Sequence, residues 1–289
     1  MHIPWGDLEL FLAVAEARSF SGAARKLGIE QPTVSRRFQA LEERVGEPLC
    51  QRAATGITLT TAGERLLPHA LQMAEWAGAA GQAAAAATPE LEGVVRIAAP
   101  PGLAFDFLAP FAAVVRQHHP GLRVEVLASI EYLNLSRNEA DIALRSETPR
   151  SKDLATLFSL KMQGAAFASR SYARRLPKKY GVADVAWIGW APPYQHLPPN
   201  PQLAAMIPGF QPAFTSDNYL VQLAAIDAGL GAMVLTRSFH RFSQVTRFVE
   251  LAIDFGPRAM IPLHVVCAKR LQAVPRIRAV IDLLRKELR

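Results

Sequence analysis

The chain is poor in cysteine and has no long apolar run. Only Cys50 and Cys267 occur in its 289 residues. Two cysteines so far apart build neither a disulfide framework nor a CxxC redox or metal motif, so two buried, reduced thiols are expected. No uninterrupted apolar stretch reaches the ~20 residues of a membrane-spanning helix. The alanine-rich stretch near 79–87 is too short and too weakly hydrophobic. Asp7, Glu9 and Glu16 interrupt the N-terminal apolar pattern, so neither a signal peptide nor a membrane partner is expected. Catalytic signatures are missing too. There is no P-loop, HExxH or GxSxG, and Gly229-x-Gly231 runs on into Ala232-Met233-Val234, which is not a dinucleotide loop. His118 and His119 are adjacent and point in different directions on a helix, with no third ligand nearby. Nothing in the order of serine, histidine and aspartate nominates a triad. No catalytic residue, metal or cofactor is therefore expected.

Positive charge is scarce where it would be easiest to interpret. The net charge is +7, yet residues 1–92 hold 8 Lys and Arg against 11 Asp and Glu, a net of −3. Residues 93–289 hold 24 against 14, a net of +10. A DNA-binding argument for the first part must rest on the placement of Arg25, Lys26, Arg36, Arg37 and Arg52. The basic excess of the second part suits an acidic small molecule, nucleic acid or polymerase surface. It equally suits a solvated surface with scattered charges.

What is present is most informative between Ser19 and Arg37. The stretch reads as two short helices joined at Gly28, a residue with the backbone freedom a sharp turn needs. Ala23 and Ala24 are small enough for close helix approach. Val34, Phe38, Leu41 and Val45 then repeat at helical spacing and form one apolar stripe. The other face carries Gln31, Pro32, Thr33, Ser35, Arg36, Arg37 and Gln39. Its polar members suit base edges and phosphates. Any amphipathic helix hairpin shares an apolar stripe and a polar back. The continuation narrows the reading. Gly46 stands where a helix C-cap belongs. Pro48 to Arg52, the turn Ala53-Ala54-Thr55-Gly56 and Ile57 to Thr60 read as a small hairpin. Such a wing would place Arg52 against a minor groove or phosphate, with Thr60 beside it.

From Leu8 to Leu67 the chain resembles the winged helix-turn-helix of LysR-type transcriptional regulators. The matching pieces are Leu10 to Ala15, Ser19-Phe20-Ser21-x-Ala23-Ala24, Gln31-Pro32-x-Val34-Ser35, Ala40-Leu41-Glu42, Gly46-x-Pro48-Leu49, Arg52 and Leu59-Thr60-x-Ala62-Gly63. Two positions depart from the pattern. Glu30 replaces the serine that usually caps the recognition helix, and is a poorer cap. Cys50 replaces a phenylalanine. The resemblance implies DNA contacts from Arg25, Gln31, Pro32, Thr33, Ser35, Arg36, Arg37, Gln39, Arg52 and Thr60.

Thr61-Ala62-Gly63-Glu64 matches a capping box, so a helix is expected from there to about Ala87, before Thr88-Pro89. Leu66, Ala70, Met73, Ala77, Ala80, Ala84 and Ala87 form a heptad seam of mostly small residues. The seam suits helix pairing between two copies, as in the family, or packing within one domain.

Beyond Gly93 strands and helices alternate. Strands are expected at 94–99, 122–128, 141–144, 163–168, 232–235 and 261–268. Helices are expected at 104–118, 217–228 and 275–288. That alternation indicates an α/β domain with largely parallel sheets. His119 to Val126, Glu139 to Arg145 and Ala228 to Ala232 resemble the LysR-type effector domain. The implied fold is two α/β lobes of the periplasmic-binding-protein type 2 kind, with a cleft between them. Expected boundaries are a winged helix-turn-helix at 1–62, a linker helix at 63–88 and an effector domain at 89–289. Lobe one would take about 93–165 and 268–289, and lobe two about 166–267.

In such folds ligands sit at strand ends near helix N-termini. The expected cleft wall of lobe one is Pro101, Gly102, Ser129, Ile130 and Tyr132. That of lobe two is Thr215, Ser216 and Asn218, with Trp190 and Thr236 as further candidates. A helix starting at Asp217 would aim free amides at an anionic effector. Pro100 and Pro101 bring no amide donors, where the family often has Ser or Thr. The proline-rich loop 191–201 has no assignable role. A solute-binding protein would carry a signal peptide and no helix-turn-helix. An α/β enzyme would carry a catalytic constellation. The reading expected is a cytoplasmic regulator that binds double-stranded promoter DNA, a small-molecule effector, itself as dimer or tetramer, and RNA polymerase.

Overall fold

The structure is a computed structural model that describes residues 2–53, 56–84 and 91–288. Ala54, Thr55 and Ala87 lie outside the described residues, as do the side chains of Arg52 and Ala84. The chain divides into two compact units, Met1–Pro89 and Glu90–Arg289.

The first unit contains α1 (Trp5–Ala17), α2 (Phe20–Leu27), α3 (Gln31–Val45), the hairpin β1 (Cys50–Ala53) and β2 (Gly56–Leu59), and α4 (Thr61–Ala84). Ser19 caps α2 by accepting the Gly22 amide at 3.0 Å. Gly28 ends α2 with φ 66° and Gly46 ends α3 with φ 85°, both left-handed. Val34, Phe38 and Leu41 are buried against Leu10, Phe11, Val14, Ala23 and Ala24. Phe38 stacks on Phe11 at 6.4 Å and meets Phe20 edge-on at 5.4 Å. Each fully buried large apolar side chain contributes about 1.5–3 kcal/mol, so the stripe holds α3 firmly.

The start of α4 differs from the expected capping box. The cap is Thr60, one residue earlier: its hydroxyl accepts the Gly63 amide at 3.2 Å and donates to the Pro48 carbonyl at 2.6 Å. Gly63 then occupies the position a capping-box glutamate would need, and it has no side chain to offer. A Cβ there would collide with the Leu49 carbonyl oxygen.

The second unit contains, in order, β3 (Gly93–Ala99), α5 (Pro101–Leu103), a π-helical turn Ala104–Leu108, α6 (Ala109–His118), β4 (Leu122–Ala128), β5 (Ile142–Arg145), β6 (Leu154–Ala168), α7 (Arg170–Ala173), β7 (Ile188–Trp190), α8 (Asn200–Ala204), β8 (Phe214–Ser216), α9 (Tyr219–Asp227), β9 (Ala232–Thr236), β10 (Val249–Glu250), β11 (Met260–Ala268) and α10 (Pro275–Glu287). The main sheet runs β10-β6-β11-β5-β3-β4, with β9 also on β6, and β7 and β8 form a small parallel pair.

The sheet is mixed rather than largely parallel. β3 pairs in parallel with β4 and β5, but β11 is antiparallel to both β5 and β6. The fifteen-residue β6 pairs with β11 along its first part and with β9 from Gly164 onward. Its first half alternates half-buried and exposed residues such as Thr156, Ser159 and Lys161. That is why only 163–168, the apolar end, is legible as a strand. β6 carries the chain from one lobe to the other. The first lobe's core packs Ile97, Phe107, Phe111, Ile142, Ile277 and Leu284 with Leu263, Val265 and Cys267 of β11. β11 thus packs into that first core. The second lobe is built on Phe167, Ile188, Leu223, Ile226 and Met233 on one side and Trp187, Leu203, Leu251 and Phe255 on the other.

Candidate functional sites: an exposed helix face and an interlobe cavity

α3 leaves a polar face outward because its apolar stripe is consumed by the core. Gln31, Pro32, Arg36, Arg37 and Gln39 are exposed, and Thr33 and Ser35 half-exposed. Glu30 stands at the N-cap with no side-chain cap bond, leaving the first amides of α3 without that acceptor. These residues divide by their partners. Arg37 donates to the Gly6 carbonyl at 3.0 Å and lies 3.5 Å from Asp7, so it ties α3 to α1. Arg44 meets the same Asp7 at 2.7 Å. Gln39 donates to Glu43 at 3.1 Å along the helix. The Thr60 hydroxyl is held by the α4 cap. Gln31, Thr33, Ser35, Arg36 and, on α2, Arg25 have no hydrogen bond or ion pair from their side chains among the described residues. Arg37 and Thr60 thus have partners within the fold, and those five do not.

The hairpin is fixed to this helix by Glu42, a residue that the family pattern also contains. Glu42 accepts the amides of Leu49 at 2.7 Å and Cys50 at 3.1 Å. Arg52 pairs with Ile57 in the hairpin. Burial, with the Glu42 charge, pushes the Cys50 thiol up to about 11. Burial and Asp141, partly offset by Arg270, push Cys267 up to about 12. Neither thiol is an activated nucleophile.

The α4 seam splits in two. Ala70 is fully buried and Leu66 half-buried in the first unit's core, while Met73, Ala77 and Ala80 are exposed. Leu71, Met73 and Trp76 are 44%, 41% and 42% exposed. Together with Trp5 and Leu12 of α1, the residues Leu67, Leu71, Ala74 and Ala77 border a groove of about 1020 Å³.

In the second unit a cavity of about 540 Å³ opens between the lobes. That lies within the range of small-molecule sites. The π-helical turn aims Phe105 and Asp106 at it while Ala104, Phe107 and Leu108 go into the core. π-helical turns recur at functional sites. Of the expected wall, Pro101, Gly102, Ile130, Tyr132, Trp190 and Thr236 line it. Ser129, Thr215, Ser216 and Asn218 do not. The Ser129 hydroxyl donates to the Glu131 carbonyl at 2.7 Å. The Ser216 hydroxyl accepts the Asn218 amide at 3.1 Å. Asn218 caps α9 by accepting the Leu220 amide at 2.9 Å and the Val221 amide at 3.4 Å. The amides expected to await an anion are therefore already occupied, and α9 begins at Tyr219 rather than Asp217.

Their places are taken by residues the sequence reading missed. Tyr219 lays its ring over Gly102, where an added Cβ would stand 3.2 Å from the ring. The proline-rich loop is a wall: Leu197, Pro198 and Pro199 line the cavity beside Trp190. Asn200 pins Trp190 by accepting its amide at 3.1 Å and donating to its carbonyl at 3.0 Å. Trp190 donates from its indole to the Pro198 carbonyl at 2.9 Å. Asp106 accepts the Gln244 amide at 2.8 Å and lies 3.3 Å from Nε2 of buried His240. Burial raises the Asp106 carboxyl, but the surrounding His240, Gln244 and Ser243 outweigh it and hold it below the ordinary value. A lone carboxylate in the apolar run Leu103 to Leu108 was the available signal. Among the described residues no helix is long and apolar enough to cross a membrane, and no three His, Cys, Asp or Glu cluster as a metal site.

Residues 5–64 match the bacterial regulatory helix-turn-helix proteins of the lysR family, and residues 89–289 match the LysR substrate binding domain. The chain belongs to the LysR family. A probable hydrogen peroxide-inducible genes activator of Mycobacterium avium is 40% identical over 119 residues, 41% of this chain and 38% of its own. The transcriptional regulator PtxR of Pseudomonas aeruginosa is 30% identical over 191 residues, 65% of this chain and 61% of its own. This LysR-family chain spans about half the length of the curated relatives it matches. A full-length OxyR variant from Pseudomonas aeruginosa superposes with a TM-score of 0.67 at 16% identity, over 99% of this chain and 96% of that one. Full-length LysG from Corynebacterium glutamicum, solved with bound effector Arg, gives 0.63 at 22%, over 99% and 100%. These likenesses establish the LysR fold.

Proposed function

We propose that the chain is a transcriptional regulator that reads double-stranded promoter DNA and answers to a small molecule. The carrying observation is the uncommitted polar set on and beside α3: Arg25, Gln31, Thr33, Ser35 and Arg36, with Pro32 and Gln39 on the same outer face. A recognition helix uses its first turns in the major groove, and these residues occupy the first turns of α3. Arg52 on the hairpin supplies a wing contact. Residues 1–62 form the DNA-reading domain, 63–88 the linker and 89–289 the effector domain. The exposed Met73, Ala77 and Ala80 of α4 pair with a second copy, giving a dimer or tetramer that reads two half-sites. RNA polymerase is a further partner, supported by the basic excess of residues 93–289, and the site of action is the cytoplasm.

Pro101, Gly102, Ile130 and Tyr132, with Trp190, Tyr219 and Thr236, hold the effector. The experiment is a selection of genomic fragments bound by the full chain, followed by footprinting. A protected inverted repeat confirms the reading. Binding that ignores sequence, or none, refutes it.

A further inference from the structure

The interlobe cavity carries more information than its position. Its wall is chiefly apolar, with Met162, Leu223, Met233, Leu235, Phe248 and Leu263 among the lining residues. Three of the large apolar residues that the chain leaves exposed, Phe105, Tyr132 and Met260 at 37%, 43% and 45%, border the same cavity. Apolar surface left open in this way marks binding sites.

The charges of the wall have internal partners or face solvent. Asp106 is engaged by His240 and the Gln244 amide, as described above. Arg247 is paired with Asp227 at 3.0 Å and lies over the Phe248 ring at 4.6 Å. Glu147 is exposed to water. Arg145 stands off the wall behind the Tyr132 ring, 5.0 Å from its centroid, and donates to the Leu133 carbonyl. Among the described residues the wall's one cation, Arg247, is therefore already paired, and its free carboxylate, Glu147, stands in water. A charge moved from water into such a place without a counter-ion is strongly disfavoured.

Two neutral polar groups of the wall do lack partners. The side-chain oxygen of Gln202 is buried without a hydrogen bond. The Tyr219 hydroxyl has none among the described residues. Burial and the Asp106 charge raise its pKa, partly countered by Arg247, so it stays a neutral donor. A buried oxygen such as that of Gln202 is normally satisfied, while Tyr219 is half-buried.

We propose that the cavity selects an uncharged, largely apolar molecule that accepts a hydrogen bond from Tyr219 and donates one to Gln202. This rests on the cavity being the effector site, and it replaces the anion expected from the basic excess. That excess lies elsewhere on the unit.

The test uses the full chain and three matched forms of benzene, naphthalene and indole: the carboxamide, the carboxylate and the aminomethyl compound. Calorimetric titration near neutral pH should find the carboxamides binding at least tenfold more tightly than either charged form. Tyr219→Phe, which keeps the ring on Gly102, and Gln202→Met should each weaken the best carboxamide about tenfold, the scale of one good hydrogen bond. A carboxylate or amine that binds best overturns the proposal and leaves the cavity reading in place. Carboxamides that bind both variants as well as the parent overturn the roles of Tyr219 and Gln202. Failure of every probe removes the proposal together with the cavity as effector site, while promoter binding by gel shift still judges α3 separately.

Discussion

The outer face of α3 draws its polar residues from nine consecutive positions, Gln31 to Gln39, whereas the cavity gathers its wall from residues as far apart as Pro100 and Leu263. The first surface is made by periodicity: once Val34, Phe38 and Leu41 go inward, the polar set must go outward. The second is made by topology. β6 and β11 bring the lobes together, and only then do Asp106, Tyr219 and Pro199 share one space. A site of the first kind can be read from a string of residues, while one of the second kind needs the fold.

The largest test of that contrast is Phe38→Ala. Removing a fully buried ring costs about 3–5 kcal/mol. Gel shifts should show DNA binding lost, while calorimetric binding of the cavity probe stays unchanged. Parallel loss of both would mean the two surfaces are not independent.

Next comes Ala70→Glu against Ala77→Glu. The first buries a carboxylate in the core and should cost about 2–4 kcal/mol of stability. The second sits on exposed α4 surface, so it should leave the melting temperature within a few degrees and reduce the assembly seen in sedimentation. Equal effects on melting would place both residues in the same environment.

Arg36→Ala should cost about 1–3 kcal/mol on specific DNA and far less on scrambled DNA. An equal small loss on both would make Arg36 a phosphate contact. Asn218→Ala should cost about 1 kcal/mol of stability, as caps do, with probe affinity intact. A selective loss of affinity would restore Asn218 to the cavity wall.

The smallest effect concerns acid. A carboxylate held below its ordinary pKa stabilises the fold above that ordinary value and loses this contribution as pH falls through the folded value. Asp106 is such a group. Below about pH 4 the parent should therefore lose stability more steeply than Asp106→Asn. Identical slopes would show that Asp106 is not held in its charged form.

Local signals made the first unit legible. The Phe38 stripe, Gly28 and Gly46 each act within one or two turns of the chain, and all three stand as expected. The readings that moved did so because a second partner intervened. Thr60, not Thr61, is the cap because the Pro48 carbonyl also claims its hydroxyl. Arg37, still exposed, gained partners in Asp7 and the Gly6 carbonyl across from it. Ala70 is buried because α1 packs on that side of α4. In the second unit the strands with continuous apolar runs were legible, and the half-exposed start of β6 was not. Ser216 and Asn218 serve a turn and a cap, uses that hydroxyls and amides share with ligand binding. The proline-rich loop carried no periodic signal at all, yet it walls the cavity.

Gly63 has a mechanical consequence. With no room for a side chain between the start of α4 and the Leu49 carbonyl, and with Thr60 bonded to both Leu49 and Pro48, the helix and the hairpin behave as one lever. A roll about the axis of α4 therefore carries β1 and β2 with it.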